Sequence, residues 1–145
     1  IHSYFYFAAV DNYICKTPAN LSKTECGRFL GIQSDEISDG QLSTSSERDS
    51  KHSATQSRLL VVNPDREGSW AAENNDTDQW LQVDLVTMHT QVTRVATQGS
   101  NGHQREWVTK YNLQYGNDTE RFYNYTVPGK NKTKVKLISC VLIPV

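Results

Sequence analysis

At 145 residues the chain has the length of one domain, with enough residues for a single sizeable core and too few for two. Fifteen Lys and Arg against sixteen Asp and Glu leave a formal net charge of -1, which excludes a global basic field for DNA, RNA or acidic membrane and confines any such binding to local patches. No heptad, internal repeat or transmembrane segment is present in the sequence.

The opening "IHSYFYFAAV" is apolar but only ten residues long, and reads as a strand, a signal-peptide remnant or the end of a preceding segment. Residues 1–25 form an uneven lead-in, and the pattern sharpens from Cys26. In "CGRFLGIQSDEISDGQLSTSSE" isolated apolar residues (Phe29, Leu30, Ile32, Ile37, Leu42) alternate with polar turns, which predicts short strands or a helical turn rather than a long amphipathic helix. "RDSKHSATQSRLL" reads as a polar loop leading into Leu59, and "NPDREGSW" carries turn chemistry at Asn63, Pro64 and Gly68. In "NNDTDQWLQVDL" the residues Leu81, Val83 and Leu85 alternate with Trp80, Gln82 and Asp84, a strand with one apolar face and one mixed face. Residues 91–98 predict another strand. In "WVTKYNLQY" the spacing puts Trp107, Thr109, Tyr111, Leu113 and Tyr115 on one face, expected in the core, and "RFYNYTV" follows as a further strand. Strands at this spacing with turns between them indicate an all-β sandwich or barrel.

Cys15, Cys26 and Cys140 are an odd number of cysteines without zinc-site spacing, so in an oxidised protein at least one thiol is free or pairs with another chain. Asn-x-Ser/Thr sequons begin at Asn20, Asn75, Asn117, Asn124 and Asn131. Composition alone would give about two, and the excess favours a secreted or cell-surface, glycosylated chain.

The ordered set "LGIQSDEISDGQLSTSSE", "SWAAENNDTDQWLQVDL", "VTRVATQG" and "WVTKYNLQYGND" resembles the discoidin family, also called coagulation factor 5/8 type C domains, over residues 26–135. The resemblance implies a distorted jelly-roll β-sandwich or barrel of the galactose-binding-like type, with about eight main strands, and places the domain at 26–145. It implies an extracellular, non-catalytic module that recognises glycans, phospholipid head groups, collagen or other proteins through loops at one end of the barrel. Two departures stand out. The closing "KVKLISCVLIPV" does not resemble the family's last strands, so the barrel is expected to be incomplete at its C-terminus, with a strand edge open to pairing. The family's disulfide joins a terminal Cys to the one before the first Leu-Gly; here Cys140 or Cys15 could partner Cys26.

By position, the family's binding loops correspond to residues 47–53, 65–68 and 100–105. They carry no exposed-type apolar tip for membrane insertion. They offer Arg48, Lys51, His52, His103 and Arg105 interleaved with Glu47, Asp49 and Glu106, a set suited to hydrogen bonds with sugar hydroxyls, sulfate, carboxylate or a polar protein surface. The expected partner is a cell-surface glycan or extracellular protein in an adhesive, lectin-like role, with anionic phospholipid head groups as the alternative.

No cofactor is implied. Asp35, Glu36 and Asp39, and Asp76 with Asp78, are oxygen-rich clusters lacking EF-hand spacing; a structural calcium is compatible with the fold, but turn-forming acids are the better reading. His2, His52, His89 and His103 stand without a Gly-x-Ser-x-Gly elbow, a His-Glu-x-x-His helix or a phosphate-cradling loop, which argues against catalysis. Tyr111, Tyr115, Phe122 and Tyr125 alternate as core aromatics do, rather than as a stacking platform, and Trp70 and Trp107 are expected to be structural.

Overall fold

A computed structural model describes residues 6–7, 13–15, 28–29, 31–60, 68–85, 91–100, 107–108, 110–116, 120–125 and 139–144. Ten short strands are described: β1 Tyr6–Phe7, β2 Tyr13–Cys15, β3 Arg28–Phe29, β4 Leu42–Thr44, β5 Trp70–Ala71, β6 Leu81–Asp84, β7 Gln91–Arg94, β8 Tyr111–Gly116, β9 Tyr123–Asn124 and β10 Ser139–Pro144. They form a five-stranded sheet in the order β4-β6-β10-β8-β9, a three-stranded sheet β3-β2-β7 and a two-stranded ribbon β1-β5. Every pairing is antiparallel. The lead-in therefore contributes strands, because Tyr6 and Phe7 pair with Ala71 and Trp70, while β2 lies between β3 and β7.

Register explains the mixed alternation of "QWLQVDL". Leu42 lies opposite Val83 and Thr44 opposite Leu81, so Leu81 and Val83 face the core at 1% and 3% exposure, joined by Leu85. Gln82 occupies the other face with Ser43, its register partner in β4, and it too is buried. β6 is thus flanked on both sides, by β4 and by β10. The closing segment supplies β10, between β6 and β8, and the two edges of this sheet are β4 and β9.

The core gathers Ile32, Ile37, Leu42, Ala54, Trp70, Ala72, Leu81, Val83 and Leu85, with Val95, Val108, Leu113 and Tyr115 packed partly against it. One expectation for the 107–115 stretch is corrected here. Leu113 and Tyr115 pack inward, but Trp107 is 62% exposed, Tyr111 is exposed, and Val108 from the opposite set turns toward the core. The strand begins only at Tyr111, so period-two alternation does not extend back through residues 107–110. Tyr123, on the edge strand β9, and Tyr125, just beyond it, are likewise exposed; Tyr123 keeps a tilted ring contact with Tyr115 at 6.0 Å. The strand predicted at 91–98 is shorter, ending at Arg94.

The turn "LGIQSDEI" depends on glycine. Gly31 sits at φ +90°, and a methyl group there would lie 2.3 Å from Glu36 Cβ, while its carbonyl accepts the Ile37 N–H at 3.0 Å. Gly31→Ala combines backbone strain with a steric clash and is expected to cost about 2 kcal/mol. Urea denaturation measures this, with Gly40→Ala, where no heavy atom stands within 4 Å, as a neutral comparison.

Candidate functional site

The best-described candidate loop, residues 45–53, is tied to the body from below by a polar lattice. The Ser45 N–H donates to Trp80 O at 3.0 Å and the Trp80 N–H returns to Ser45 Oγ at 2.9 Å. Gln79, buried at 4% exposure, accepts both Ser45 Oγ–H (2.8 Å) and Ser46 Oγ–H (2.5 Å) on Oε1 and donates through Nε2 to Asp76 Oδ1 at 2.7 Å. Trp70 Nε1–H reaches Ser46 O at 2.8 Å, and the Arg48 N–H reaches Ala71 O at 2.9 Å. A buried polar group left without a partner carries a desolvation cost, which these bonds offset.

Above this base, Asp49 organises the tip. As the N-cap of a 3-10 turn, Ser50–His52, its Oδ1 accepts the Lys51 N–H at 2.8 Å and meets His52 Nδ1 at 2.7 Å. Glu47 Oε1 takes the Ala54 N–H at 2.7 Å, at the start of a second turn, Ala54–Ser57. The outcome separates the sequence-nominated residues. Arg48 and Lys51 are exposed, whereas His52 is 7% exposed and its ring is built into the loop framework. His103 and Arg105 lie outside the described residues, as do Asp65 to Glu67 of the second loop.

Burial tends to raise the Asp49 carboxyl, but hydrogen bonds from His52 and the Lys51 N–H, with the charges of His52 and Arg48, hold it below the ordinary carboxylate value. A depressed folded-state value stabilises the charged loop above the unfolded carboxylate range, near pH 4, and this contribution is lost as pH falls through the lower folded value. Amide exchange of residues 50–53 is expected to accelerate on acidification in that window, and Asp49→Asn is expected to remove the acid dependence.

The acidic clusters have other employment. Asp35 and Asp39 pair with the buried Arg58 at 3.2 and 2.6 Å, and Asp76 Oδ1 also caps a turn through the Asp78 N–H at 2.9 Å. No group of three or more His, Cys, Asp or Glu gathers as metal ligands among the described residues. Of the sequons, Asn75 and Asn124 are exposed, with Asn124 Oδ1 accepting from Gln114 Nε2 at 2.8 Å; Asn20, Asn117 and Asn131 lie outside the described residues. Cys15 ends β2 and Cys140 lies in β10, in separate sheets, and Cys26 is outside the described residues.

Sequence reasoning missed the foundation: Ser46, Gln79 and Trp70 converge from three separated segments, and no local spacing signals it. Arg58 was hidden for the same reason inside a stretch that reads as a polar loop, although His52, Gln56, Ser57 and Arg58 are all buried.

The chain is an antiparallel β-sandwich with Arg48 and Lys51 exposed on a braced loop. The F5/8 type C domain family model matches residues 41–141, and the chain belongs to that family. It is 35% identical over 120 residues to human EGF-like repeat and discoidin I-like domain-containing protein 3, covering 76% of this chain and 24% of that protein. Mouse lactadherin is 32% identical over 117 residues, covering 74% and 24%; the chain thus spans about a quarter of the length of these relatives. Discoidin II of Dictyostelium discoideum superposes with a TM-score of 0.60 at 23% identity, over 71% of this chain and 48% of that one, and shares the fold. No helix among the described residues is long and apolar enough to cross a membrane.

Proposed function

We propose that this chain is an extracellular, non-catalytic recognition module that holds a glycan or another anionic or hydroxyl-rich surface ligand in an adhesive role through loop 45–53. The observation that carries this reading is the division of labour in that loop: Glu47, Asp49, His52, Ser45 and Ser46 anchor it, and Arg48 and Lys51 stand at its exposed tip. A braced loop loses little conformational entropy on binding, so charge-assisted hydrogen bonds from the two cations are available as affinity. Single-site affinity of such a small polar contact is low, and avidity from repeated copies raises it. Membership of a family of binding modules supports the same reading.

The test is a glycan array beside vesicles of phosphatidylserine and of phosphatidylcholine, on one folded preparation, at two salt concentrations, with and without calcium. Salt-tolerant binding to particular glycans, reduced about tenfold or more in Arg48→Ala with Lys51→Ala at an unchanged melting temperature, supports the proposal. Binding confined to anionic vesicles and lost with salt would replace it with head-group recognition.

A further inference from the structure

The two described sequon asparagines stand in different surroundings. Asn124 sits in β9 with its Oδ1 accepting from Gln114 Nε2 of β8 at 2.8 Å, so its amide is engaged across the strand pair. Asn75 stands within residues 73–78, a run in which every residue is exposed. That run is pinned on either side of it. The Glu73 N–H donates to Ser46 Oγ at 3.1 Å, and Asp76 Oδ1 accepts the Asp78 N–H at 2.9 Å and Gln79 Nε2 at 2.7 Å. Asn75 and Thr77, the first and third residues of the sequon, make no hydrogen bond among the described residues. A held backbone thus presents an unengaged amide and its hydroxyl partner to solvent.

We infer that Asn75 is an N-glycan acceptor whose glycan screens one flank of loop 45–53, an inference that rests on the extracellular reading above. In the transfer, Asn75 Nδ2 bonds to the anomeric carbon of an oligosaccharide carried on a polyprenyl diphosphate. The diphosphate leaves with the electron pair of the broken C–O bond, and the amide gives up one proton. The folded domain carries this bulky, solubilising group at little cost, because the Asn75 amide surrenders no protein bond and opens onto solvent. At Asn124 the same bulk would stand against the Gln114 amide of the adjoining strand. Position gives the glycan its effect. Asn75 lies two residues beyond Glu73, whose N–H is bonded to Ser46, and two residues of chain reach at most about 7 Å. The oligosaccharide therefore leaves the surface beside the loop that presents Arg48 and Lys51, where its bulk limits the approach of large partners.

The experiment expresses the full chain behind a cleavable secretion leader in animal cells and takes material from medium and cells alike. Peptide mapping after peptide N-glycosidase treatment in heavy-oxygen water reads each sequon, since release of the glycan leaves a labelled aspartate at the acceptor position. Asn75 is expected to be labelled at high occupancy, to remain so in Thr77→Ser, and to lose the label in Thr77→Ala and Asn75→Gln. Limited trypsin digestion reads the screen. Cleavage after Arg48 and Lys51 is expected to speed up several-fold once the glycan is removed, while cleavage after Arg121, exposed beside the opposite edge strand β9, keeps its rate. An unlabelled Asn75 overturns the inference in full, and loop cleavage that ignores the glycan overturns the screen. The extracellular reading fails separately, when the native protein is found in the cytosol and bears no glycan at any sequon.

Discussion

Trp70→Ala is expected to be the most damaging single change in this domain. Trp70 is fully buried, belongs to the core, and lies opposite Phe7 in the β1-β5 ribbon. Truncating a buried tryptophan costs about 3–5 kcal/mol through lost transfer free energy and the cavity left behind, a large share of a total stability of about 5–15 kcal/mol. The second consequence is functional, because the indole N–H holds Ser46 O and so supports the loop that presents Arg48. Trp70→Phe separates the two effects. It keeps much of the apolar volume while removing the donor and leaving a smaller cavity, with an expected cost of about 1–3 kcal/mol and faster amide exchange concentrated in residues 45–49. Urea denaturation and exchange measured on both variants check this; equal, small losses would show that the indole bond and the core contact both matter little.

Arg58→Ala should rank second. Arg58 is 5% exposed, donates to the Ile32 carbonyl, and meets Asp39 and Asp35. Its guanidinium thereby ties the turn at residues 31–41 to the Ala54–Ser57 turn. The two carboxylates are 70% and 78% exposed, so the ion pairs themselves contribute little and water takes over when they are broken. The larger loss is the Ile32 carbonyl left without its donor, together with the packing of the buried side chain. An overall loss of about 2–4 kcal/mol is expected for the alanine variant. Asp35→Asn and Asp39→Asn should each cost less than about 1 kcal/mol. A loss at either Asp as large as that at Arg58 would mean that the salt bridges, rather than the carbonyl bond, hold the turn.

Much of this was readable along the chain. Leu81, Val83 and Leu85 are buried as their alternation demanded, Trp70 is structural, and the family resemblance carried by "SWAAENNDTDQWLQVDL" is matched by the family model over residues 41–141. Exposure of Arg48 and Lys51 also follows from a polar loop with turn chemistry. What failed did so at specific places. His52 looks like any loop histidine in sequence, yet its capping partner three residues earlier draws it inward. Trp107 looks like the first inward residue of a strand, yet the strand starts four residues later.

The sequence by itself determined the fold class, the polar loops and the core alternation of β6, because these depend on local periodicity and turn chemistry. Only the tertiary structure decided which polar residues would be buried and which aromatics exposed. Gln79 and Arg58 become tolerable inside because partners far away in sequence, Ser46 for the first and the Ile32 carbonyl for the second, bring a donor and an acceptor to them; without those partners each would carry the full cost of leaving water. Hydrogen-bond satisfaction across distant segments is a property of the folded arrangement, and no local window of sequence contains it.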